Sequence, residues 1–242
     1  MRGGRLPDEV LRAARALLLD AGNTLVFLDH RVVARVAGEV GVEVAAEALV
    51  AAEGEAKRRY EALLGAGGAH EEGWGLYFEA LFDAAGAGAA AARRCLPALR
   101  AEHDRFNLWR RVPPDLPDAL DRARALGLAL GVVSNSEGRL AELLDRVGLG
   151  PRLAFVVDSA REGVRKPDPA IFLRALARLP GVAAHEAIYA GDLPSVDVQG
   201  ARGAGMHGVL VDPRGFYAGL ADVAVVASVA ELVAQLEGAR RA

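Results

Sequence analysis

Asp20 closes the apolar run Ala16-Leu17-Leu18-Leu19, where a carboxylate is partly withdrawn from water and needs a cation or hydrogen-bond donors. Two roles suit it: a nucleophile that doubles as a metal ligand, or a turn cap with Gly22 and Asn23 supplying loop conformations. Ser134-Asn135 follow the apolar run at 128–133 and could hold a phosphate, or, with Ser136 as an N-cap candidate, open a helix. Lys166 stands before Pro167-Asp168-Pro169, a helix start. Gly191-Asp192, with Asp197 five residues after Asp192, is an oxygen-rich pair suited to a hard cation. Mg²⁺ is commonly held by one or two carboxylates, with water and substrate phosphate completing its shell. Two helix-capping aspartates would show the same pattern, so no single group decides the matter.

The composition sharpens part of this. The chain holds 27 arginines but only two lysines, Lys57 and Lys166, and Thr24 is its only threonine. Where so biased a sequence keeps a rare residue type, local chemistry is a reason for keeping it. A compact ammonium can approach a carboxylate and a phosphoryl oxygen together, which a planar guanidinium does differently. The alternative for Lys166 is an ordinary solvated surface lysine.

These groups can act together only if the intervening elements bring them to one place. From position 110 onward, short apolar runs at 128–133, 153–157, 187–190, 208–211 and 223–226 alternate with helical apolar spacing at 115–126, 138–147, 168–179, 195–204 and 228–237. Apolar runs of this length without alternation suit strands covered on both faces. The succession predicts an α/β fold with a doubly wound, Rossmann-like parallel sheet, its first strand at Ala16–Leu19. Ligands of such sheets sit outside the carboxyl ends of the strands, and three of the four polar groups end a predicted strand. Residues 31–104 break the alternation, with helical periodicity around Val32-Val33-Val36 and Tyr77-Phe78-Leu81-Phe82 and Gly-rich breaks at 65–68 and 86–88. They read as a helical subdomain inserted after the first strand, giving a core of 1–29 plus 110–242 and an insert of 30–109. The first fifteen residues read as a loosely attached extension.

Hydrophobic residues make up 52% of the 242 and charged residues 25%, which excludes a disordered chain. A net charge of −3 and the lack of a basic block give nucleic-acid binding no footing. The single cysteine, Cys95, excludes an intrachain disulfide and a cysteine-based zinc site, and reads as a small packed hydrophobe. No apolar run approaches the length of a membrane span, about 18 residues, and the N-terminal run stops at Asp20, too soon for a signal sequence. The expectation is a soluble cytoplasmic protein with neither membrane nor nucleic acid as partner.

Taken in order, the polar groups resemble the haloacid dehalogenase superfamily, most of whose members are Mg²⁺-dependent phosphatases. The resemblance rests on Leu18-Leu19-Asp20-Ala21-Gly22-Asn23-Thr24-Leu25, Val132-Val133-Ser134-Asn135, Gly163-Val164-Arg165-Lys166-Pro167-Asp168-Pro169 and Gly191-Asp192-Leu193-Pro194-Ser195-Val196-Asp197, followed by Gly200–Met206. The helical insert falls where the family places its mobile cap. The resemblance implies that Asp20 attacks phosphorus and that Ser134, Asn135 and the neighbouring amides hold the phosphoryl oxygens. Lys166 would neutralise Asp20 and the phosphate. Asp20, the carbonyl of Gly22 and Asp192 would bind Mg²⁺, Asp197 would support the site, and the Thr24 hydroxyl would brace the loop. The implied partner is a small phosphorylated molecule.

One departure matters. Typical phosphatases of the family carry an aspartate, the general acid and base, two residues after the nucleophile; here that residue is Gly22. Three readings follow. The first is a phosphatase suited to activated leaving groups, or one that recruits an acid from the insert, such as His70, Glu71 or Glu72, against which stands a solvated loop. The second is a metal-independent 2-haloacid dehalogenase or another hydrolase of this kind, since family members with other chemistry also lack that aspartate; a Schiff-base variant would need a lysine from the insert, and only Lys57 is available. The third is a weakly catalytic domain that binds a phosphometabolite. Trp74, Tyr77 and Phe78 could line a substrate, but their spacing along a helix fits packing.

Overall fold

The computed structural model describes residues 4–65, 70–217 and 219–241, with the side chains of 63–65 and 70–72 outside that description. Its strands are β1 (Ala16–Leu19), β2 (Phe27–Leu28), β3 (Trp109–Arg111), β4 (Ala129–Ser134), β5 (Phe155–Asp158), β6 (Ala187–Gly191), β7 (His207–Val211) and β8 (Ala224–Val226). Six of them form one sheet in the order β5-β4-β1-β6-β7-β8, every pair parallel, while β2 and β3 pair separately.

The register places Leu19 of β1 beside Val132 of β4 on one side and Ala190 of β6 on the other. The carboxyl ends of the three middle strands therefore lie level with one another. The connections run to opposite sides of β1, which is the point where ligands of such sheets bind. All four residues of β1 are buried, because both faces are covered. On one face Ala16 and Leu18 pack with Val133 and Tyr189 against helices Pro169–Leu176 and Gln199–Gly203. Leu17 and Leu19 alternate to the other face, where helix Leu116–Ala125 lies on β4 and against helix Val229–Arg241.

The reading of the first fifteen residues as a loose extension is corrected for residues 4–15. Helix Asp8–Ala13 buries Leu11 completely and packs on helix Val229–Arg241. Gly4 bridges Ala224, and its carbonyl accepts a hydrogen bond from Val225 at 2.9 Å, covering the edge strand β8. A six-residue helix anchored by one leucine has no periodicity to read. β2 and β3, of two and three residues, are equally silent in the sequence.

The chain divides into two compact units, residues 1–27 with 111–242, and 28–110. The second consists of helices His30–Glu39, Ala46–Gly65, His70–Ala84 and Ala89–Arg105 around Leu28, Val33, Leu49, Leu81, Phe82 and Leu99. Trp74, Tyr77 and Phe78 belong to this interior: Trp74 and Phe78 meet edge to face at 4.7 Å, and Tyr77 lies 5.6 Å from Trp109. Cys95 is buried there, and burial pushes its thiol up. Lys57 is buried as well, one turn after the buried Glu53. The side chains of His70, Glu71 and Glu72 lie outside the described ones. Among the described residues no helix is long and apolar enough to cross a membrane.

Candidate active site

Asp20 is the first residue beyond β1. Its amide still donates to Ala190 of β6 at 2.9 Å, so the sheet fixes where its side chain begins. The chain then folds back: Leu25 and Val26 donate to Ala21, and Asn23 donates to Val26 at 2.7 Å while holding a left-handed φ of 53°, which asparagine tolerates. Gly22 sits in this turn, bridged to Val26. The Thr24 hydroxyl does not brace it. Thr24 is buried and its Oγ1 has no hydrogen-bond partner among the described residues, so the backbone bonds do that work.

Five of the expected residues, Asp20, Ser134, Lys166, Asp192 and Asp197, meet in one buried cluster. Ser134 Oγ, at the end of β4, donates to Asp20 Oδ1 at 2.9 Å, and Lys166 Nζ donates to the same oxygen at 2.6 Å. Asp20 Oδ2 receives no hydrogen bond from the described residues. Lys166 Nζ also donates to Asp197 Oδ1 at 2.6 Å and to the Tyr189 hydroxyl at 2.9 Å, which matches the three protons of an ammonium. The side chain of Asn135 pairs with the backbone of the lysine loop. Its Nδ2 donates to the Lys166 carbonyl at 3.0 Å and its Oδ1 accepts from the Lys166 amide at 2.8 Å. The asparagine side chain holds the lysine loop against the end of β4.

Asp192 follows β6 as Asp20 follows β1, and its Oδ2 accepts from Asn23 Nδ2 at 3.2 Å. Asp197 lies in the turn that follows, with Oδ2 accepting from the Leu193 amide at 2.9 Å. The backbone at Gly191 allows this approach. A Cβ there would stand 2.3 Å from Asp197 Cγ, closer than atoms can pack.

Oxygens of Asp20, Asp192 and Asp197 all lie within 4.8 Å of one another, and all three residues are buried. Burial pushes Asp20 up, Lys166 pulls it down, and Asp197 and Asp192 push it up again, leaving it at about 7 against an ordinary 3.8. The cluster thus carries more negative charge than Lys166 alone balances. Burial would lower Lys166, but Asp197 and Asp20 more than offset that and raise it, so it remains an ammonium. Tyr189, raised well above its ordinary value first by burial and then by the same carboxylates, remains a neutral phenol. Three clustered carboxylates with surplus charge fit a hard divalent cation. Both oxygens of Asp197 are engaged, by Lys166, Tyr189 and the Leu193 amide.

Some contributors escaped the sequence reading. Tyr189 looked like one more apolar residue of β6; the available signal was that a buried tyrosine hydroxyl needs a partner. Asp158, at the end of β5, accepts from the amides of Gly138, Leu140 and Ala160, and Ser159 Oγ accepts from the Ser136 amide. Together they fix the loop that follows Ser134-Asn135.

A parallel, doubly wound sheet that gathers buried charge at the ends of its middle strands is the build of an α/β enzyme. Comparison with known proteins makes this specific: the chain belongs to the haloacid dehalogenase-like hydrolase family, whose model matches residues 14–205. A phosphoserine phosphatase of Thermus thermophilus is 39% identical over 138 residues, covering 57% of this chain and 53% of that protein, so the match spans about half of that relative's length. Haloacid dehalogenase-like hydrolase domain-containing protein 3 of Bos taurus is 35% identical over 213 residues, 81% of each chain. Among solved structures, the magnesium-bound HAD-hydrolase YfnB of Bacillus subtilis superposes with a TM-score of 0.68 at 19% identity, covering 92% of this chain and 98% of that one, a likeness of fold.

Proposed function

We propose that this hydrolase is a cytoplasmic, Mg²⁺-dependent phosphatase of small phosphate esters that works through an aspartyl-phosphate on Asp20. The observation that carries the reading is the state of Asp20. One of its oxygens is clamped by Lys166 at 2.6 Å, the other accepts no hydrogen bond from the described residues, and the carboxylate of Asp192 has an oxygen within 4.8 Å of one of them. The Thermus phosphatase at 39% identity supports the choice of a phosphate ester as substrate.

In this mechanism an Asp20 oxygen attacks phosphorus and the bond from phosphorus to the leaving oxygen breaks. Water then cleaves the aspartyl-phosphate, releasing inorganic phosphate and restoring the carboxylate. Phosphoryl transfer needs electrostatic clamps more than covalent help. Lys166 supplies a fixed positive charge, Ser134 and the amides after it supply donors, and Asn135 keeps the lysine loop in place. Bound through Asp20, the carbonyl of Gly22 and Asp192, Mg²⁺ would neutralise charge on the phosphoryl oxygens. Residues 30–109 would act as the cap that selects the substrate.

Gly22 offers no carboxyl to protonate the leaving oxygen, a contribution worth about 10²–10⁴-fold in general acid catalysis. The enzyme should therefore favour esters whose leaving group departs unprotonated. The test compares aryl and alkyl phosphates with Mg²⁺ and with EDTA. Turnover should need the metal and vanish in Asp20→Asn, and Gly22→Asp should raise rates on alkyl esters far more than on aryl esters. Ordinary turnover by Asp20→Asn would overturn the nucleophile assignment. The lack of an aspartate at 22 favours one other reading, a dehalogenase, which would release halide from 2-haloacids in EDTA.

A further inference from the structure

We propose that Tyr189 is a positioning residue for Lys166: its hydroxyl is the third fixed point that aims the ammonium at Asp20. The hydroxyl donates to the carbonyl of Val133 at 2.8 Å, the residue immediately before Ser134. It accepts from Lys166 Nζ at 2.9 Å and stands 3.2 Å from Asp197 Oδ1. One oxygen atom thereby ties together the end of β4, the lysine loop, β6 and the turn that carries Asp197. The ring cannot drift, because Tyr189 is fully buried and meets Phe172 edge to face at 4.9 Å.

The geometry explains why this hydroxyl matters. Lys166 reaches the cluster on a four-carbon stem with many rotamers, and two carboxylates alone leave the ammonium free to swing about the line between them. A third acceptor, itself oriented by a main-chain carbonyl, removes that freedom. Without it, one ammonium proton and the Val133 carbonyl are left unpaired in a buried site. The ammonium should then tilt toward Asp197 and away from the oxygen of Asp20 where charge changes during reaction.

The inference rests on the phosphatase reading only for its kinetic readout. Tyr189→Phe removes the oxygen and keeps the ring. With p-nitrophenyl phosphate and Mg²⁺, kcat should fall about tenfold or more, the effect of losing one hydrogen bond to a charged group, while KM stays within about twofold. Leu236→Ala serves as the packing control. It opens a cavity under the C-terminal helix, away from the ring and its hydroxyl, so it should lower thermal stability yet leave kcat near wild type. A Tyr189→Phe enzyme with wild-type kcat would overturn the proposal, as would equal losses of kcat in the two variants. A substrate-independent arm is a double-mutant cycle between Tyr189→Phe and Lys166→Met, read by urea denaturation. Positive coupling supports the lock and strict additivity overturns it, even if the wild type turns over no phosphate ester, a result that would count against the phosphatase reading alone.

Discussion

Gly191→Ala is a sharp test of how rigidly the charged cluster is held. The new Cβ would lie 2.3 Å from Asp197 Cγ and 2.6 Å from both Cβ and Oδ2. Ordinary contact begins near 3.4 Å, so the carboxylate must move by about 1 Å or the end of β6 must bend. Asp197 has little room to give: it is 1% exposed and held by Lys166 at 2.6 Å and by the Leu193 amide at 2.9 Å. Overpacking of this kind costs about 1–3 kcal/mol, and each weakened hydrogen bond to a charged group adds about 1.5–3 kcal/mol. A total of about 3 kcal/mol is expected, or roughly 6–12 °C in Tm for a domain of this size. Urea denaturation gives the first readout. Turnover gives the second, and it should fall because Lys166 loses its grip on one side. Gly38→Ala is the matched control, since a Cβ there meets nothing within 4 Å on an exposed helix position and should stabilise by about 0.5–1 kcal/mol. If Gly191→Ala is as stable and active as the wild type, Asp197 is not fixed where the geometry puts it and the rigid-clamp argument fails.

Two further outcomes follow. Lys166→Arg keeps the charge in a chain that elsewhere prefers arginine, yet the planar guanidinium does not fit among Asp20, Asp197 and Tyr189. Turnover should drop about a hundredfold or more, the scale seen when a transition-state clamp is removed, and retention of half the activity would contradict the assigned fit. In the helical unit, burial pushes Glu102 up, but hydrogen bonds from Arg105 and Arg110, the latter at 2.8 Å, outweigh it and hold the carboxyl below its ordinary 4.5. A depressed carboxyl stabilises the fold above its unfolded pKa and loses that contribution as pH falls through the folded value. Thermal melts between about pH 3 and 6 should therefore show acid destabilisation that Glu102→Gln flattens, and parallel curves for the two proteins would refute the role.

Much of the architecture is legible in the sequence. The apolar runs at 128–133 and 187–190 lie within a residue or so of β4 and β6, because a strand covered on both faces must be apolar at every position. Asp20, Lys166 and Asp192 could be singled out because each breaks such a run or is a scarce residue type. What escaped depends on partners distant in sequence. Tyr189 is an ordinary strand residue until Lys166 and Val133 arrive at its hydroxyl. The part Asn135 plays in holding the lysine loop shows only once its side chain meets the Lys166 backbone. The helix at Asp8–Ala13 exists because Leu11 finds the C-terminal helix, which local periodicity does not encode.

The strand that delivers Asp20 waits long for its neighbours. β1 takes one from residues 129–132 and the other from 187–190, so a nascent chain carries it with open edges until residue 190 has emerged. Unpaired apolar edges of that sort invite association with other chains. Expression of fragments ending before residue 187 should therefore yield insoluble material, because the strand that carries Asp20 then lacks the neighbour that also carries Asp192.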